Sequence, residues 1–205
     1  MYFKNYFNLI REGLDKTLYY IDCNDSNPND FFNEIKIINN QLLQSKNKIF
    51  FFGNGASAAF ANHMALDFSK NGKIISRSLS DSALLTALSN DFSYEEAMVE
   101  FLKIEDVTDE DFVITISSSG NSPNILSILD YCKKNRIKTL SLSGLKNNNK
   151  SILSANYSIY VPMKTYGIVE CIHQIFLHLI LDDFMEIREW DITHFQNMNN
   201  KDFKL

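Results

Sequence analysis

Apolar residues follow two patterns along this chain, a helical spacing of three to four residues and short uninterrupted runs. The helical spacing predicts helices over about 2–22, 30–45, 58–69, 82–88, 94–102, 125–135 and 167–187. The short runs predict strands at about 48–52, 74–75, 112–116, 138–142 and 157–161. A helical turn is expected at 151–155. The segment 24–30 is rich in asparagine, aspartate and proline, and it separates the first two helices, with Asp30 as the predicted N-cap of the second.

Strands and helices therefore alternate from residue 48 onwards. Such alternation implies right-handed β-α-β connections and an α/β fold with a parallel sheet of about five strands. The strand runs are almost wholly apolar, as burial on both faces of a sheet requires. We expect a single domain over residues 1–187, with helices on both faces of the sheet, followed by a polar, asparagine-rich tail over 188–205 that is partly ordered at best.

Composition narrows the class of protein. A formal net charge of −5 over 205 residues argues against nucleic acid as the main partner, because such binders show a basic face. The spacing of the cysteines predicts neither a disulfide framework nor a thiolate metal site; they are Cys23, Cys132 and Cys171. Charges are scattered through the N-terminal segment, and the longest apolar run, 175–181, is too short to cross a membrane. A cytoplasmic location is the expectation.

The segment Ile116-Ser-Ser-Ser-Gly-Asn-Ser-Pro-Asn124 carries the strongest chemical signal. Four hydroxyls and a glycine follow a predicted buried strand and precede a predicted helix. Free backbone N–H groups and the positive end of a helix dipole make such a loop an anion site. The loop has no lysine, so it differs from nucleotide P-loops. A phosphate ester is the favoured ligand, and a serine-rich turn that only caps the helix is the alternative.

A second loop, Gly53-Asn-Gly-Ala-Ser-Ala58, follows the first predicted strand of the sheet. Its pattern matches one form of the dinucleotide fingerprint, which expects an acidic residue after the next strand. That strand is followed by Arg77, so only an NADP interpretation would remain. Two helices precede the first strand, whereas dinucleotide folds usually begin at theirs. Both loops follow strand ends, and parallel strands bring such ends into one crevice.

A histidine and an aspartate on the predicted helix over 58–69 are candidate catalytic or metal-binding residues. His63 and Asp67 are four residues apart on one helix, about 40° apart around its axis, so they could contact one ligand or one metal ion. A surface histidine–aspartate pair of small energetic value is the alternative.

The last predicted helix is so apolar that most of it must be buried, yet it carries Glu170, His173, Gln174 and His178. Buried ionisable groups need partners. Glu170 and His178 are about 80° apart around the axis and could line one cleft. Spacing alone leaves open whether each histidine is a ligand or a hydrogen-bonded core residue.

Three ordered segments carry a family resemblance: the loop 53–57, the segment 80–92 with the sequence SDSALLTALSNDF, and the serine loop 116–124. They resemble the sugar isomerase (SIS) domain and, more narrowly, phosphoheptose isomerases. The resemblance runs over about 9–185. It implies a flavodoxin-like three-layer sandwich, a homotetramer with active sites at subunit interfaces, and no nucleotide. The implied reaction converts sedoheptulose 7-phosphate to D-glycero-D-manno-heptose 7-phosphate, for lipopolysaccharide core or capsule.

The resemblance also implies roles for individual residues. The catalytic acid and base of the family fall on Asp67 and His178. Some members bind one zinc ion per subunit, and the matching positions here are His63, Asp67, Glu170 and His178. The implied substrate-binding positions are Asn54, Ser57, Asp91, Ser117, Ser118, Ser119, Ser122 and Glu170.

The chain departs from the family pattern at several places. Asp67 stands where the family has glutamate, and the shorter side chain withdraws the carboxylate by about an ångström, which matters for proton transfer. Glu170 replaces a glutamine and would strengthen a zinc ligand set. No acidic residue occurs at 167–169, and 145–149 replaces a glycine-rich turn.

The favoured interpretation is aldose–ketose isomerisation through a cis-enediol, with Asp67 and His178 as acid and base. Two alternatives stay open. The chain could be a non-catalytic SIS module that senses a phosphosugar or binds a regulatory partner. It could also isomerise a different phosphosugar.

Overall fold

The structure is a computed structural model, and it describes residues 1–191. Its sheet has seven strands. The strands are β1 (Leu18–Ile21), β2 (Asn24–Ser26), β3 (Lys48–Gly53), β4 (Ile75–Ser78), β5 (Phe112–Ser117), β6 (Lys138–Gly144) and β7 (Tyr157–Val161). Their order across the sheet is β2-β1-β7-β6-β5-β3-β4. The last five strands in this order are parallel to one another, whereas β1 is antiparallel to both β2 and β7.

Eight helices cover the sheet within the described residues. They are α1 (Tyr2–Asp15), α2 (Pro28–Ser45), α3 (Ala56–Lys70), α4 (Ser82–Asp91), α5 (Ala97–Ile104), α6 (Pro123–Lys134), α7 (Lys150–Ser154) and α8 (Tyr166–Phe184). None of the described helices is long and apolar enough to cross a membrane.

The hydrophobic core has two parts, one on each face of the sheet. Alternate residues of a strand point to opposite faces, so Phe51 packs with α2, α3 and α8 whereas Phe50 and Phe52 pack with α4, α5 and α6. All three phenylalanines are buried. The predicted α/β fold with helices on both faces is confirmed, and the uninterrupted apolar runs are explained by burial on both sides.

The N-terminal region differs from its prediction. A helix over about 2–22 and a sheet of about five strands were expected, but α1 ends at Asp15 and two additional strands follow. β1 pairs along its whole length with β7, and Tyr19 packs edge-on against Phe32 and Phe176. These tertiary contacts favour an extended backbone over continuation of the helix, since helix propensity is only a weak determinant.

Smaller differences concern helix ends. Asn27, not Asp30, is the N-cap of α2: the backbone N–H of Asp30 donates to Asn27 Oδ1 at 3.0 Å, and Pro28 takes the first helical position. α4 continues through Asp91, beyond its predicted end at 88, and α5 begins only at Ala97, after its predicted start at 94. Most of the predicted polar tail, 192–205, lies outside the described residues.

Candidate functional site

The two glycine- and serine-containing loops meet at the carboxyl end of the sheet. β3 and β5 are neighbours, with Gly53 beside Ile116, and each strand leads through its loop into a helix, α3 or α6. The chain leaves β3 for β4 on one side of it and returns to β5 on the other. Ligands of open α/β sheets bind at such points, outside the carboxyl ends of the strands.

A small cavity of about 100 Å³ lies between these loops and the start of α8, and we call it the serine cavity. Its lining residues are Asn54, Ser57, Ile116, Ser117, Ser118, Ser119, Ser122, Tyr166 and Glu170. Seven of the predicted substrate-binding residues therefore line one cavity. Asp91 does not: it is exposed at the end of α4, where its Oδ1 accepts a hydrogen bond from Asn90 Nδ2 at 3.0 Å.

The hydroxyls of this cavity are not used to cap α6. Ser122 is the N-cap residue, yet its side chain makes no capping hydrogen bond and instead lies 3.3 Å from Ser117 Oγ. Ser118 Oγ is buried and has no hydrogen-bond partner among residues 1–191. A buried hydroxyl without a partner is costly unless a ligand or water supplies one. This arrangement favours an anion site over a serine-rich cap.

Backbone packing holds the serine loop in place. Gly120 has a left-handed φ of +60°, and a Cβ there would lie 2.2 Å from Asn149 Oδ1. Its carbonyl accepts hydrogen bonds from the Ser151 backbone N–H at 3.0 Å and from Ser151 Oγ at 2.9 Å. Only glycine fits this conformation and this close approach without strain.

A second group of side chains lies further along α3 and α8. His63 Nε2 is 3.2 Å from Asp67 Oδ2, and the rings of His63 and His178 are 5.3 Å apart between centroids. One potential ligand atom from each of His63, Asp67 and His178 lies within 4.8 Å of the other two. We call these residues the histidine–aspartate cluster. His63 is half exposed, so the cluster opens to the outside of the chain.

Sequence reasoning missed a further carboxyl group beside this cluster. Asp182 lies one turn after His178 on α8, and burial is the main reason why its pKa is raised. His178 lowers that pKa, whereas the charges of Glu189 and Asp67 raise it. The i, i+4 spacing from His178 was the available signal, but the proximity of Asp182 to α3 follows only from helix packing.

Glu170 lies apart from the cluster. It is two turns before His178, about 12 Å along α8, and it lines the serine cavity. The cluster groups three of the four residues that the resemblance implies as metal ligands, and Glu170 as the fourth ligand stays a prediction.

His173 and Gln174, the other two candidate residues of α8, face the interior. His173 is fully buried, and its Nε2 is 3.1 Å from the carbonyl of Ser143. Burial lowers the pKa of His173 to about 4, so the ring is neutral at pH 7 and Nε2 donates to that carbonyl. Gln174 Nε2 contacts Met64 Sδ at 3.7 Å. His173 is therefore a core histidine that ties α8 to the sheet.

The dinucleotide alternative loses its supporting residue in the structure. Arg77 Nε lies 3.6 Å from Glu105 Oε2, and Nη1 donates to the carbonyl of Ser76 at 3.0 Å. Arg77 thus has partners of its own, and it does not line the serine cavity.

This fold and this site define the sugar isomerase class, and the family model described as SIS domain matches residues 34–144. A phosphoheptose isomerase of Helicobacter pylori (strain Shi470) is 32% identical over 148 residues, 69% of this chain and 76% of the relative. That of Aneurinibacillus thermoaerophilus is 34% identical over 146 residues, 68% and 73% of the two chains. The chain belongs to the phosphoheptose isomerase family of SIS-domain enzymes.

A solved structure has the same fold. The phosphoheptose isomerase GmhA from Neisseria gonorrhoeae superimposes with a TM-score of 0.75 at 21% identity, over 89% of this chain and 95% of that one. The flavodoxin-like three-layer arrangement expected from the resemblance is therefore confirmed, with the N-terminal hairpin as an addition to the expected five strands.

The histidine–aspartate cluster has the chemistry of a catalytic zinc site. Imidazole nitrogens and a carboxylate oxygen are common zinc ligands, and three protein ligands leave a coordination position for substrate or water. The ligand atoms of His63, Asp67 and His178 lie within 4.8 Å of one another, so this group could hold one metal ion. In the type of their donor atoms, these residues therefore fit zinc.

Proposed function

We propose that this enzyme interconverts a phosphorylated ketose and aldose, with sedoheptulose 7-phosphate and D-glycero-D-manno-heptose 7-phosphate as the pair. The observation that supports it most is a pair of sites to which α8 contributes residues. One is the serine cavity, for the phosphate, and the other is the histidine–aspartate cluster, for proton transfer. The relatives' name supports the same substrate class. The product would enter lipopolysaccharide core or capsule synthesis, in the cytoplasm.

In the proposed mechanism, the serine cavity binds the phosphate and so orients the sugar. The binding energy of the phosphate, which is far from the reacting carbons, thereby holds those carbons in position for proton transfer. Asp67 removes a proton from C1 of the ketose while His178 donates one to the oxygen on C2, which gives a cis-enediol. Asp67 then returns its proton to C2, and His178 takes the proton from the oxygen on C1. Atoms and charges balance, since each group ends in its starting state.

Zinc, where bound by His63, Asp67 and His178, would polarise the substrate carbonyl and stabilise negative charge on its oxygen. The chain's own residues still set the geometry. His63 contacts Asp67 directly, so it also limits the rotation of that carboxylate.

The serine cavity and the histidine–aspartate cluster of one chain lie apart, and this separation suggests that one active site combines residues of two chains. Asp67 lies about 15 Å along α3 from Ser57 in the serine cavity. Exposed apolar side chains lie on the same two helices as the cluster: Leu66 on α3 is 58% exposed, and Ile175 and Leu179 on α8 are 40% and 38% exposed. We propose that a second copy covers this apolar surface and brings its own serine cavity to the cluster, within a homotetramer.

Light scattering coupled to size-exclusion chromatography tests this assembly. The expected mass is that of four chains, and Leu66→Arg is expected to reduce it, because a charge would be buried in the interface. Activity should fall with the loss of assembly. A wild-type protein that is monomeric and fully active would contradict the proposal.

Isomerisation in deuterated water tests the reaction itself. With sedoheptulose 7-phosphate as substrate, NMR should show the aldose product and deuterium at C1 of the recovered ketose, since the transferred proton exchanges with solvent. Absence of both, with and without added zinc, would exclude the heptose reaction. A panel of other phosphosugars then separates a change of substrate from binding without turnover.

A further inference from the structure

Asn54 lies at the carboxyl end of β3 and lines the serine cavity. Three hydrogen bonds hold its side-chain amide. Asn54 Nδ2 donates to Asn124 Oδ1 at 2.9 Å, and Asn124 Nδ2 donates back to Asn54 Oδ1 at 2.8 Å. The hydroxyl of Tyr94 donates to the same Oδ1 at 2.8 Å. The three residues come from three separate segments, so they link both loops of the cavity to the turn between α4 and α5.

The direction of these hydrogen bonds follows from a backbone group. The N–H of Ile125 donates to Asn124 Oδ1 at 3.1 Å, and a backbone N–H can only donate. The oxygen of the Asn124 amide is thereby identified, and its nitrogen must face Asn54. Asn54 consequently turns its own oxygen toward Asn124 and Tyr94. Burial of Asn124, at 2% exposure, keeps water from replacing these contacts.

The hydrogen-bonding capacity of Asn54 is thus almost used up. Both lone pairs of Oδ1 accept a hydrogen bond, one from Asn124 and one from Tyr94, and one hydrogen of Nδ2 goes to Asn124. A single N–H remains for the cavity. Asn54 can therefore only donate to a bound ligand.

We propose that Tyr94 and Asn124 are positioning residues, which fix Asn54 as a donor to an unprotonated acceptor oxygen of the ligand in the serine cavity. This inference rests on the proposed function, and it specifies how that site selects a phosphate or carbonyl oxygen over a protonated amine. An amine at this position would place two donors against each other, which is the usual means of rejecting a wrong ligand.

Tyr94 is suited to this role because its hydroxyl, rather than its ring, makes the contact. The side chain is 52% exposed, so Tyr94→Phe removes one hydrogen bond and little packing. The turn itself is held independently: Ser127 Oγ donates to Glu96 Oε1 at 2.8 Å, and the Glu96 backbone N–H donates to Ser93 Oγ at 3.1 Å. Loss of the hydroxyl should leave the turn in place.

A double-mutant cycle tests the proposal on the full-length protein. Dissociation constants for inorganic phosphate and for sedoheptulose 7-phosphate are measured by calorimetry on wild type, Tyr94→Phe, Asn54→Ala and the double variant. Tyr94→Phe is expected to weaken binding about 3- to 10-fold, the effect of one hydrogen bond. In the Asn54→Ala background it should have no further effect, because Tyr94 acts through Asn54.

The two ligands identify the acceptor. Weakening of both places the acceptor oxygen on the phosphate, and weakening of the sugar phosphate alone places it on the sugar. An effect of Tyr94→Phe that is equal in both backgrounds, or absent for both ligands, would overturn the proposal. Asn54→Ser replaces Asn54→Ala if thermal unfolding shows that the alanine variant is not folded.

A matched control removes another tyrosine hydroxyl. Tyr20 lies on β1, and three strands separate β1 from β3 in the sheet order, so Tyr20→Phe is expected to bind both ligands like wild type. Failure of the proposed reaction can be distinguished from failure of this inference, since the measured binding of phosphate requires no turnover. Wild-type protein that binds phosphate but isomerises no sugar would reject the reaction and leave the cycle interpretable.

Discussion

Asp67→Asn is expected to lower kcat by about 10²- to 10⁴-fold, the contribution usual for a positioned acid or base. The amide keeps the size of the side chain and can still contact His63, but it cannot accept the proton from the substrate carbon. KM should change little, because the serine cavity, and not Asp67, is proposed to bind the phosphate of the substrate. Steady-state kinetics with sedoheptulose 7-phosphate, together with zinc content by mass spectrometry, measures both effects.

Asp67→Glu is the matched control. It restores the family's side chain and moves the carboxylate outward by about one bond, so activity should equal or exceed that of wild type. An Asp67→Asn variant that keeps both its activity and its metal would show that Asp67 is not the base. Loss of zinc with recovery of activity at high zinc concentration would assign Asp67 to metal binding rather than proton transfer.

The sequence predicts those elements of the fold that local patterns of apolar and polar residues determine. Residues 48–52 and 112–116 are uninterrupted apolar runs, and only burial on both faces of a sheet accommodates such runs. The loops after them contain glycine and serine and lead into amphipathic helices. The parallel sheet and the place of the serine cavity follow from these features alone.

The N-terminal hairpin could not be predicted in this way. Its two-residue turn, Asp22 and Cys23, has positive φ at both positions, 47° and 65°. Such turns usually carry glycine or asparagine, so the usual signal is missing. β1 is stabilised by pairing with β7, more than 130 residues away, and periodicity within a local window contains no information about that partner.

The residues of the candidate site likewise fall into those that the sequence predicts and those that only the packed structure reveals. Ser117, Ser118 and Ser122 are neighbours in sequence, and their shared cavity was predictable. Tyr94 and Asp182 were missed because distant segments must pack before Tyr94 can donate to Asn54 and before Asp182 can come near the histidine–aspartate cluster. A resemblance transfers only the positions that a family pattern marks, whereas residues that orient those positions emerge from the packed structure.

Glu170→Gln is expected to lower the KM for the sugar phosphate about tenfold at low salt, with kcat within about twofold of wild type. Glu170 lines the serine cavity, which is the site proposed for a phosphate dianion. Charges a few ångströms apart near a protein surface interact by about 1–4 kcal/mol, and the amide removes this repulsion. The gain should shrink as ionic strength rises, because salt screens charge interactions.

Glu110→Gln is the control for net charge. Glu110 lies just before β5, at the amino end of the parallel strands and so opposite the serine cavity, and its Oε2 accepts a hydrogen bond from Asn47 Nδ2 at 3.1 Å. The variant changes the overall charge equally but should leave KM unchanged. If Glu170→Gln instead lost bound zinc and kcat together, Glu170 would be a metal ligand, and a second copy or a movement of α8 would have to bring it to the histidine–aspartate cluster. Metal content therefore decides between a carboxylate that opposes the phosphate and one that holds an ion, since only the second makes zinc binding depend on residue 170.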